Sequence, residues 1–212
     1  MTRWEVFQEL RAAMRDPARI GDIPAYKSEL GRTRARPEVE AQLGPVRGYR
    51  PAIDLEALAR LEPGTLGHEY QRFLAINGLT PIVMSERVDP ELAARNAFVI
   101  RYGTIHDMVH VLTGFDASWP GEVGVWAFVG GQRYSRGFQI TAVVALLAAL
   151  FRCPLRLGEA WRSFRRGWAM GEAAELVISQ RLEEQFEVPV AEIRVRLGIV
   201  GARDEYALDG SK

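Results

Sequence analysis

The stretch "RYGTIHDMVHVLTGFDASWPGEVGVW", residues 101–126 of 212, decides the fold of this chain. Through its first half, and just before it, apolar residues recur in steps of four and three, which is the spacing of one face of an α-helix. They are Phe98, Tyr102, Ile105, Val109 and Leu112. The pattern predicts a long helix with a buried apolar face that stops at Gly114, a residue typical of the position just past a helix.

Two of the chain's three histidines lie on this helix, four residues apart, as His106 and His110. Because each residue of an α-helix turns by about 100°, both imidazoles and the carboxylate of Asp107 point into one quadrant. Imidazole and carboxylate groups are suitable ligands for zinc, manganese or iron. Glu122 follows His110 after eleven intervening residues, beyond a linker long enough for the chain to reverse direction. The motif predicts a metal site shared by two helices, with His106, Asp107, His110 and Glu122 as ligands.

Gly103 lies one turn before His106 on the same side of the predicted helix. Glycine in the middle of a helix costs roughly 0.5–1 kcal/mol relative to alanine, so a reason for its presence is expected. One interpretation is open space beside the ion for a substrate, which makes Gly103 a candidate substrate-binding residue. The other is close helix packing, which is favoured for Gly103 taken alone.

Other interpretations of the motif stay open at this point. Each residue alone is more often structural: a histidine beside an apolar stripe is commonly a hydrogen-bonded core residue, and a carboxylate is favoured in the first turn of a helix. A metalloprotease of the H-E-x-x-H type needs glutamate where this chain has Asp107. A His-Asp phosphohydrolase would add His68 and a distant aspartate, but after Asp116 only Asp204 and Asp209 remain. The convergence of four such residues favours metal binding.

The remaining pattern predicts an all-α protein, a single multi-helical domain over residues 1–212. Asp54 and Asp89 are typical helix N-caps, Gly78 is a typical helix end, and no alternation is long enough for a sheet. The motif lies on a long central helix, predicted from Pro90 to the residue before Gly114, and on the helix that follows. After an amphipathic helix, the proline-rich residues 1–50 are predicted to be an irregular segment wrapping the core, and residues 200–212 a flexible tail.

Composition narrows the class of protein. Lys plus Arg equal Asp plus Glu at 27 each, which gives no reason to expect nucleic acid as a partner. The most apolar run, Ile140 to Phe151, is shorter than the roughly 20 residues of a membrane-spanning helix, and predicts a buried helix or a surface that touches lipid. Cys153 is the only cysteine in the sequence, so an internal disulfide bond is excluded. The acidic residues near the N-terminus argue against a mitochondrial transit peptide and favour a cytoplasmic protein.

The motif resembles the hallmark of the coenzyme Q (ubiquinone) biosynthesis protein 4 family, H-D-x-x-H-x(11)-E, which is intact here as His106, Asp107, His110 and Glu122. The surroundings agree over about residues 61–199. They include "RY" before the motif, "HVLTG" at its end, "GEV" around the glutamate, "PGTLGHEYQRFLAINGLTP" upstream and "VRLGI" downstream. The chain departs from the family at Gly103 and Thr104, where larger, charged residues are usual, and at Val129, where glutamate is common.

The resemblance implies an all-α protein that binds a divalent ion at the four motif residues, with zinc expected first and iron, manganese or magnesium as alternatives. It implies a prenylated quinone precursor or other polyprenyl lipid as ligand and other ubiquinone-biosynthesis enzymes as partners. The implied activity is oxidative decarboxylation at ring carbon 1 of a prenylated hydroxybenzoate, replacing carboxylate by hydroxyl. The alternatives are a non-catalytic lipid-binding scaffold that organises the biosynthetic complex, and a relative with a different isoprenoid or aromatic substrate.

The resemblance also implies peripheral contact with the inner face of the membrane. Five arginines with two interleaved tryptophans suit an anionic membrane interface, although a solvated helix face has the same composition. They are Arg152, Arg156, Arg162, Arg165 and Arg166, with Trp161 and Trp168. The run "GWAMG", Gly167 to Gly171, predicts a close helix crossing, and a homodimer is expected on general frequency alone.

Overall fold

The structure is a computed structural model that describes residues 1–204. The last part of the predicted flexible tail, residues 205–212, lies outside the described residues. Residues 1–204 form α-helices and short 3-10 helices without a strand, and an isolated bridge pairs Thr65 with Pro189. The predicted all-α fold class is confirmed.

The α-helices follow one another with short connections. In chain order they are α1 (Arg3–Ala13), α2 (Ile23–Gly31), α3 (Pro37–Glu40), α4 (Leu55–Leu58), α5 (Leu66–Asn77), α6 (Pro90–Arg95), α7 (Ala97–Thr113), α8 (Trp119–Gly131), α9 (Arg136–Arg152), α10 (Leu157–Ala173) and α11 (Val190–Leu197). The 3-10 helices are Pro17–Asp22, Gly44–Val46, Pro154–Arg156, Val177–Ser179 and Leu182–Gln185. The predicted caps are confirmed: Asp54 and Asp89 accept hydrogen bonds from helix N–H groups, and Gly78 ends α5 in the left-handed conformation.

The described residues group into two compact units. The first consists of residues 1–53, 80–106 and 178–181, and the second of residues 54–79, 107–177 and 182–204. The boundary between residues 106 and 107 falls inside α7, which is one unbroken helix. The prediction of a single domain stays a prediction, because the compactness of a unit does not show whether it folds alone.

The first unit corrects the prediction that residues 1–50 are irregular after α1. Its prolines begin helices instead of breaking them: Pro17, Pro24 and Pro37 each lie in the first two positions of a helix, where the missing N–H costs nothing. The unit has an apolar core of its own, formed by Val6, Ala13, Ala25, Tyr26, Val88 and Leu92. Val6 therefore lies on the buried side of α1, whereas Trp4 and Phe7 are exposed.

The predicted long helix from Pro90 is divided at Asn96 into α6 and α7. The Asn96 side chain donates hydrogen bonds to the Leu92 carbonyl at 2.8 Å and to the Glu29 carboxylate at 2.7 Å. Asparagine competes with the helical backbone in this way, and here the contact with Glu29 fixes the break. The apolar stripe of α7 is buried as predicted.

In the second unit, α8 and α10 cross in backbone contact. A Cβ atom on Gly167 would lie 2.1 Å from the carbonyl oxygen of Gly124, and a Cβ atom on Gly171 would lie 2.1 Å from that of Phe128. Only glycine allows this approach. The close crossing predicted from "GWAMG" is confirmed.

The end of α10 is fixed by a buried glutamine, Gln132, at the C-cap of α8. The Gln132 amide donates hydrogen bonds to the carbonyls of Gly171 at 2.9 Å and Ala174 at 3.0 Å, and its oxygen accepts from the Val177 N–H. These bonds satisfy carbonyls at the end of a helix, which have no partner within it. Helix α10 therefore stops at Ala173.

Helix α9 packs one side against α8 and leaves the other exposed. Its buried residues are mostly small, whereas its large apolar side chains lie on the exposed side. Within residues 1–204 no single helix is long and apolar enough to cross a membrane; by length and composition alone, a pair bent by 117°, Arg136–Arg152 with Pro154–Ala173, would be.

Replacing Gly167 with alanine is expected to lower the free energy of unfolding by at least about 2 kcal/mol, because the added methyl group meets backbone atoms that cannot rotate away. Gly158→Ala on the same helix is the matched control. Its Cβ would meet only the end of the Arg162 side chain, at 3.6 Å, so a gain of about 0.5–1 kcal/mol is expected from helix propensity. Urea unfolding measures both. Equal effects of the two substitutions would contradict the crossing.

Candidate metal centre

The two motif histidines lie one turn apart on α7, so their relative position is set by the helix itself. His110 is 1% exposed, while His106 is partly exposed. The pair therefore has one ring enclosed by protein and one nearer the surface, a graded arrangement typical of a ligand pair that a small molecule can approach.

A turn after α7 fixes the orientation of the His110 ring. Nδ1 of His110 donates a hydrogen bond to the carbonyl of Phe115 at 3.2 Å. The chain returns to this position because Gly114 adopts a left-handed conformation with φ of 76°. With the proton on Nδ1, Nε2 carries the lone pair that a metal ion requires. The sequence "HVLTGF" thus provides both the ligand and its orienting partner.

The ring of Phe73 on α5 stacks on the ring of His110. The centroids of the Phe73 and His110 rings lie 4.9 Å apart with planes inclined by 25°. The imidazole is held by the stacked ring and by its hydrogen bond, so its Nε2 atom has a defined direction. Such support is common for metal ligands.

Glu122 lies in the first turn of α8. Its Oε1 is 3.4 Å from Nε2 of His110, the ring nitrogen that does not contact Phe115. The preceding residue permits this start of the helix, because a Cβ atom on Gly121 would lie 2.0 Å from the carbonyl oxygen of Asp116. The predicted reversal of the chain between His110 and Glu122 is present.

His106, His110 and Glu122 each offer one ligand atom, and these atoms all lie within 4.8 Å of one another. Two imidazole nitrogens and a carboxylate oxygen at such separations suit a divalent transition metal, and three protein ligands leave a position for a further group. Asp107 is not part of this group. The structure therefore brings three of the four predicted ligands together.

The Asp107 carboxyl is buried beside the cluster. Burial raises its pKa from 3.8 to about 6; the neighbouring His110 opposes this change and Glu122 adds to it. A carboxyl in this position holds its proton in slightly acidic solution and releases it near neutral pH. The pKa of Asp107 therefore depends on the charges of His110 and Glu122 in the three-residue cluster.

The residues around His106 on α7 show that the interpretation of Gly103 as open space for a substrate is wrong. The hydroxyl of Tyr102 lies 3.1 Å from Nδ1 of His106, one turn earlier on α7. A Cβ atom on Gly103 would lie 3.0 Å from Cγ of Pro24 and 3.7 Å from Ile82, so the side of the helix at Gly103 is filled. The open space expected there is absent, and the alternative of close packing is correct. Gly103 has no geometric support as a substrate-binding residue.

Three other residues of this region were not predicted from the sequence. Phe73 and Tyr70 lie on the buried side of α5, where burial and the carboxyls of Asp107 and Glu183 raise the pKa of the Tyr70 hydroxyl. Arg194 on α11 donates hydrogen bonds to the last carbonyls of α7, at 2.8 and 2.9 Å. The spacing of Tyr70 and Phe73 in "HEYQRF" indicated a buried stripe, but only the fold shows what that stripe contacts.

The phosphohydrolase interpretation finds no support among residues 1–204. His68 is not in the cluster, and its Nδ1 lies 3.2 Å from Glu69. Asp204 pairs with Arg194 at 2.6 Å, and Asp209 lies outside the described residues. His68 therefore serves as a reference histidine in the experiments below.

The fold and the cluster define an all-α protein with a candidate metal centre on two consecutive helices. A profile of the family described as "Coenzyme Q (ubiquinone) biosynthesis protein Coq4" matches residues 47–202. The chain belongs to this family. The resemblance noted in the sequence is confirmed.

Individual relatives agree with the family match. The ubiquinone biosynthesis protein COQ4 homolog, mitochondrial, of Xenopus laevis is 33% identical over 156 residues, which cover 70% of this chain and 51% of that protein. The homolog of Nematostella vectensis is 30% identical over 74% of this chain and 75% of its own length. The chain matches about half the length of most of these curated relatives.

A solved structure also has this fold. The crystal structure of a "Putative ubiquinone biosynthesis protein" from Nostoc punctiforme PCC 73102 is similar with a TM-score of 0.63 and 26% sequence identity. The similarity covers 92% of this chain and 87% of the other. The shared architecture therefore extends beyond the segment matched by the family profile.

Replacing Asp107 with asparagine is expected to stabilise the metal-free protein above pH 6. Folded Asp107 keeps its proton up to about pH 6, whereas the unfolded chain releases it near 3.8. Between these values the folded state binds more protons, so the free energy of unfolding falls as pH rises. The asparagine variant does not ionise at this position, so its free energy of unfolding should exceed that of the wild type by roughly 2–3 kcal/mol at pH 8 and by little at pH 4. Chemical unfolding in chelator at the two pH values measures it; a gain independent of pH would contradict the assignment.

Proposed function

We propose that this protein binds one divalent ion through His106, His110 and Glu122 and acts in ubiquinone biosynthesis on a prenylated aromatic precursor. The convergence of these three side chains carries the proposal, in a chain that belongs to a family of ubiquinone biosynthesis proteins. Asp107 is kept as the fourth predicted ligand, since its carboxyl is buried beside His110 and Glu122. The proposed reaction is oxidative decarboxylation at ring carbon 1: the bond to the carboxylate breaks with release of carbon dioxide, a bond to hydroxyl oxygen forms, and dioxygen, as the oxidant, accepts the two electrons released.

The donor set supports zinc as the ion, with iron, manganese and magnesium as alternatives. Two imidazoles and one or two carboxylates satisfy the common ligand preferences of zinc and also suit iron and manganese, whereas magnesium prefers oxygen ligands alone. When bound, such an ion supplies a positive charge for the carboxylate and phenolate oxygens of the substrate or, if redox active, a means of using dioxygen.

The chain's own residues have separate roles in this proposal. His110 presents Nε2 in a fixed direction, because Phe115 and Phe73 hold its ring. The Asp107 carboxyl oxygen can hold a proton at the margin of the centre, since burial places its pKa near neutrality. Burial and the charge of Asp107 raise the pKa of the Tyr70 hydroxyl, so Tyr70 stays protonated and adds no charge of its own beside Asp107.

A non-catalytic scaffold is the second candidate function. It is favoured by the His110–Glu122 contact of 3.4 Å, which braces two consecutive helices whether or not an ion reacts. In either role we propose a prenylated lipid as ligand, other ubiquinone-biosynthesis enzymes as partners, and a peripheral position on the inner face of the membrane. A homodimer stays an expectation.

The purified full chain is expected to carry close to one divalent ion per molecule. His110→Ala and His106→Ala each remove one of three clustered ligands, so metal content should fall by roughly tenfold or more after dialysis. His68→Ala is the matched control, because the third histidine lies outside the cluster and should leave metal content unchanged. Elemental analysis by mass spectrometry gives the content and identifies the ion. A metal-free wild-type protein, or equal loss in His68→Ala, would refute the site.

Catalysis is distinguished from scaffolding by the fate of the substrate carboxylate. Incubation of the metal-loaded protein with dioxygen and a prenylated hydroxybenzoate labelled at the carboxyl carbon is expected to release labelled carbon dioxide over many turnovers. His110→Ala should abolish release, since it removes the most enclosed ligand. A metal-loaded wild-type protein that binds the lipid and releases no carbon dioxide would exclude the enzyme and leave the scaffold.

A further inference from the structure

Helix α9 has an unusual distribution of side-chain sizes. Its buried stripe, which faces α8, consists of Phe138 and three alanines: Ala142, Ala145 and Ala149. Its exposed stripe has the same helical spacing and carries the large residues Ile140, Val143, Val144, Leu147, Leu150 and Phe151. A helix of a globular protein normally places its large apolar residues inside. On α9 most of the apolar surface lies outside.

Further large apolar residues are exposed after the end of α9. Phe151 is 88% exposed, and Leu155 in the following 3-10 helix is 99% exposed. Trp161 on α10 is also exposed. Residues 137–151 contain no charged side chain that would interrupt this surface. Clustered exposed residues of this size indicate a contact with a protein or a membrane, unlike the scattered apolar residues found on most surfaces.

A basic cleft on α10 is lined in part by Trp161, one of these exposed apolar residues. It has a volume of about 660 Å³ and is lined by Glu159, Trp161, Arg162, Ser163, Arg165, Arg166 and Arg203. The only acidic residue in that lining, Glu159, forms an ion pair with Arg156 at 2.6 Å, so its charge is already compensated. The cleft therefore carries a net positive charge within the described part of the chain.

Trp161 belongs to both features, since it is exposed and lines the cleft. Its ring is stacked on Phe164 with centroids 6.0 Å apart, and Phe164 stacks in turn on Trp168. A tryptophan at the border between an apolar surface and a basic one has the position that this side chain prefers at the boundary of a bilayer.

We propose that these residues form a docking face for an anionic phospholipid bilayer. The docking face consists of the exposed side of α9 from Ile140 to Phe151, with Leu155 and Trp161, and the basic cleft of α10. Phe151 and Leu155 enter the acyl region, while Arg162 and Arg165 contact anionic headgroups. The inference assigns a surface to the membrane contact of the proposed function, but it does not depend on the metal.

Charge favours a bilayer over a second copy of the chain. In a two-fold dimer the same surface meets itself, and the acidic residue in the cleft lining, Glu159, is already paired with Arg156, so the face of one copy offers no free acidic partner to the arginines of the other. An anionic bilayer offers both an apolar interior for the exposed side chains and negative charge for the arginines. A partner protein could match this pattern only with an apolar surface bordered by acidic residues.

The test uses the full chain and sedimentation with vesicles of phosphatidylcholine, with and without phosphatidylglycerol. Wild-type protein is expected to bind the mixed vesicles, and to bind phosphatidylcholine alone roughly tenfold more weakly. Phe151→Ser with Leu155→Ser should reduce binding to mixed vesicles roughly tenfold or more. Val195→Ser is the matched control, since Val195 is 83% exposed on α11, a helix that contributes no residue to the docking face. It should bind like wild type.

A second pair of variants tests the charges. Arg162→Glu with Arg165→Glu should weaken binding on the order of tenfold or more at low salt. Arg32→Glu with Arg60→Glu changes the net charge equally at exposed positions outside the cleft and should have a much smaller effect. Unchanged thermal unfolding of all variants shows that the substitutions leave the fold intact.

Three results would overturn the docking face. One is failure of wild-type protein to bind mixed vesicles. Another is wild-type binding by the Phe151 and Leu155 variant, which would locate the contact elsewhere, for instance at the exposed Trp4 of α1. The third is concentration-dependent dimerisation that the same variant abolishes, which would assign the surface to a second copy. Loss of metal in His110→Ala with retained vesicle binding would leave this inference standing even if the proposed chemistry fails.

Discussion

The backbone contact between α8 and α10 is the constraint on which the candidate centre depends. Glycines at 167 and 171 bring the two helices together at the carbonyls of Gly124 and Phe128, which fixes the rotation of α8 about its axis. That rotation decides which side chain of its first turn faces His110. A larger residue at either glycine would separate the helices and move Glu122 as well. The packing of the second unit and the geometry of the site therefore have a common cause.

The geometry of the site depends partly on helix spacing and partly on tertiary contacts. The i, i+4 spacing of His106 and His110 follows from the helix alone, but a histidine pair on a helix has free rotamers. Rotation is removed by the Phe115 carbonyl and the Phe73 ring, which reach His110 from the next turn and from α5. The ring plane and tautomer suited to a metal are thus set by the fold before any ligand enters.

The sequence predicted what depends on short range and failed where distant residues decide. Caps at Asp54 and Asp89 and the stripe of α7 were correct, because neighbouring residues determine them. The break at Asn96 was missed because Glu29 fixes it, and the space expected at Gly103 is filled by a proline 79 positions earlier in the chain. Both contacts are invisible to helical periodicity.

Helix α9 shows a further limit of reading hydrophobicity from a sequence. Its apolar run is the strongest in the chain, and alone it is equally typical of a core helix and of a lipid-facing surface. The distinction lies in size: where α9 approaches α8 through Ala142, Ala145 and Ala149, there is no room for leucine, isoleucine or phenylalanine, and the one large buried residue, Phe138, lies near the start of the helix. Those residues must lie outside, although exposure of so much apolar area is unfavourable in water. Their presence there is better explained by a partner than by the packing of this chain.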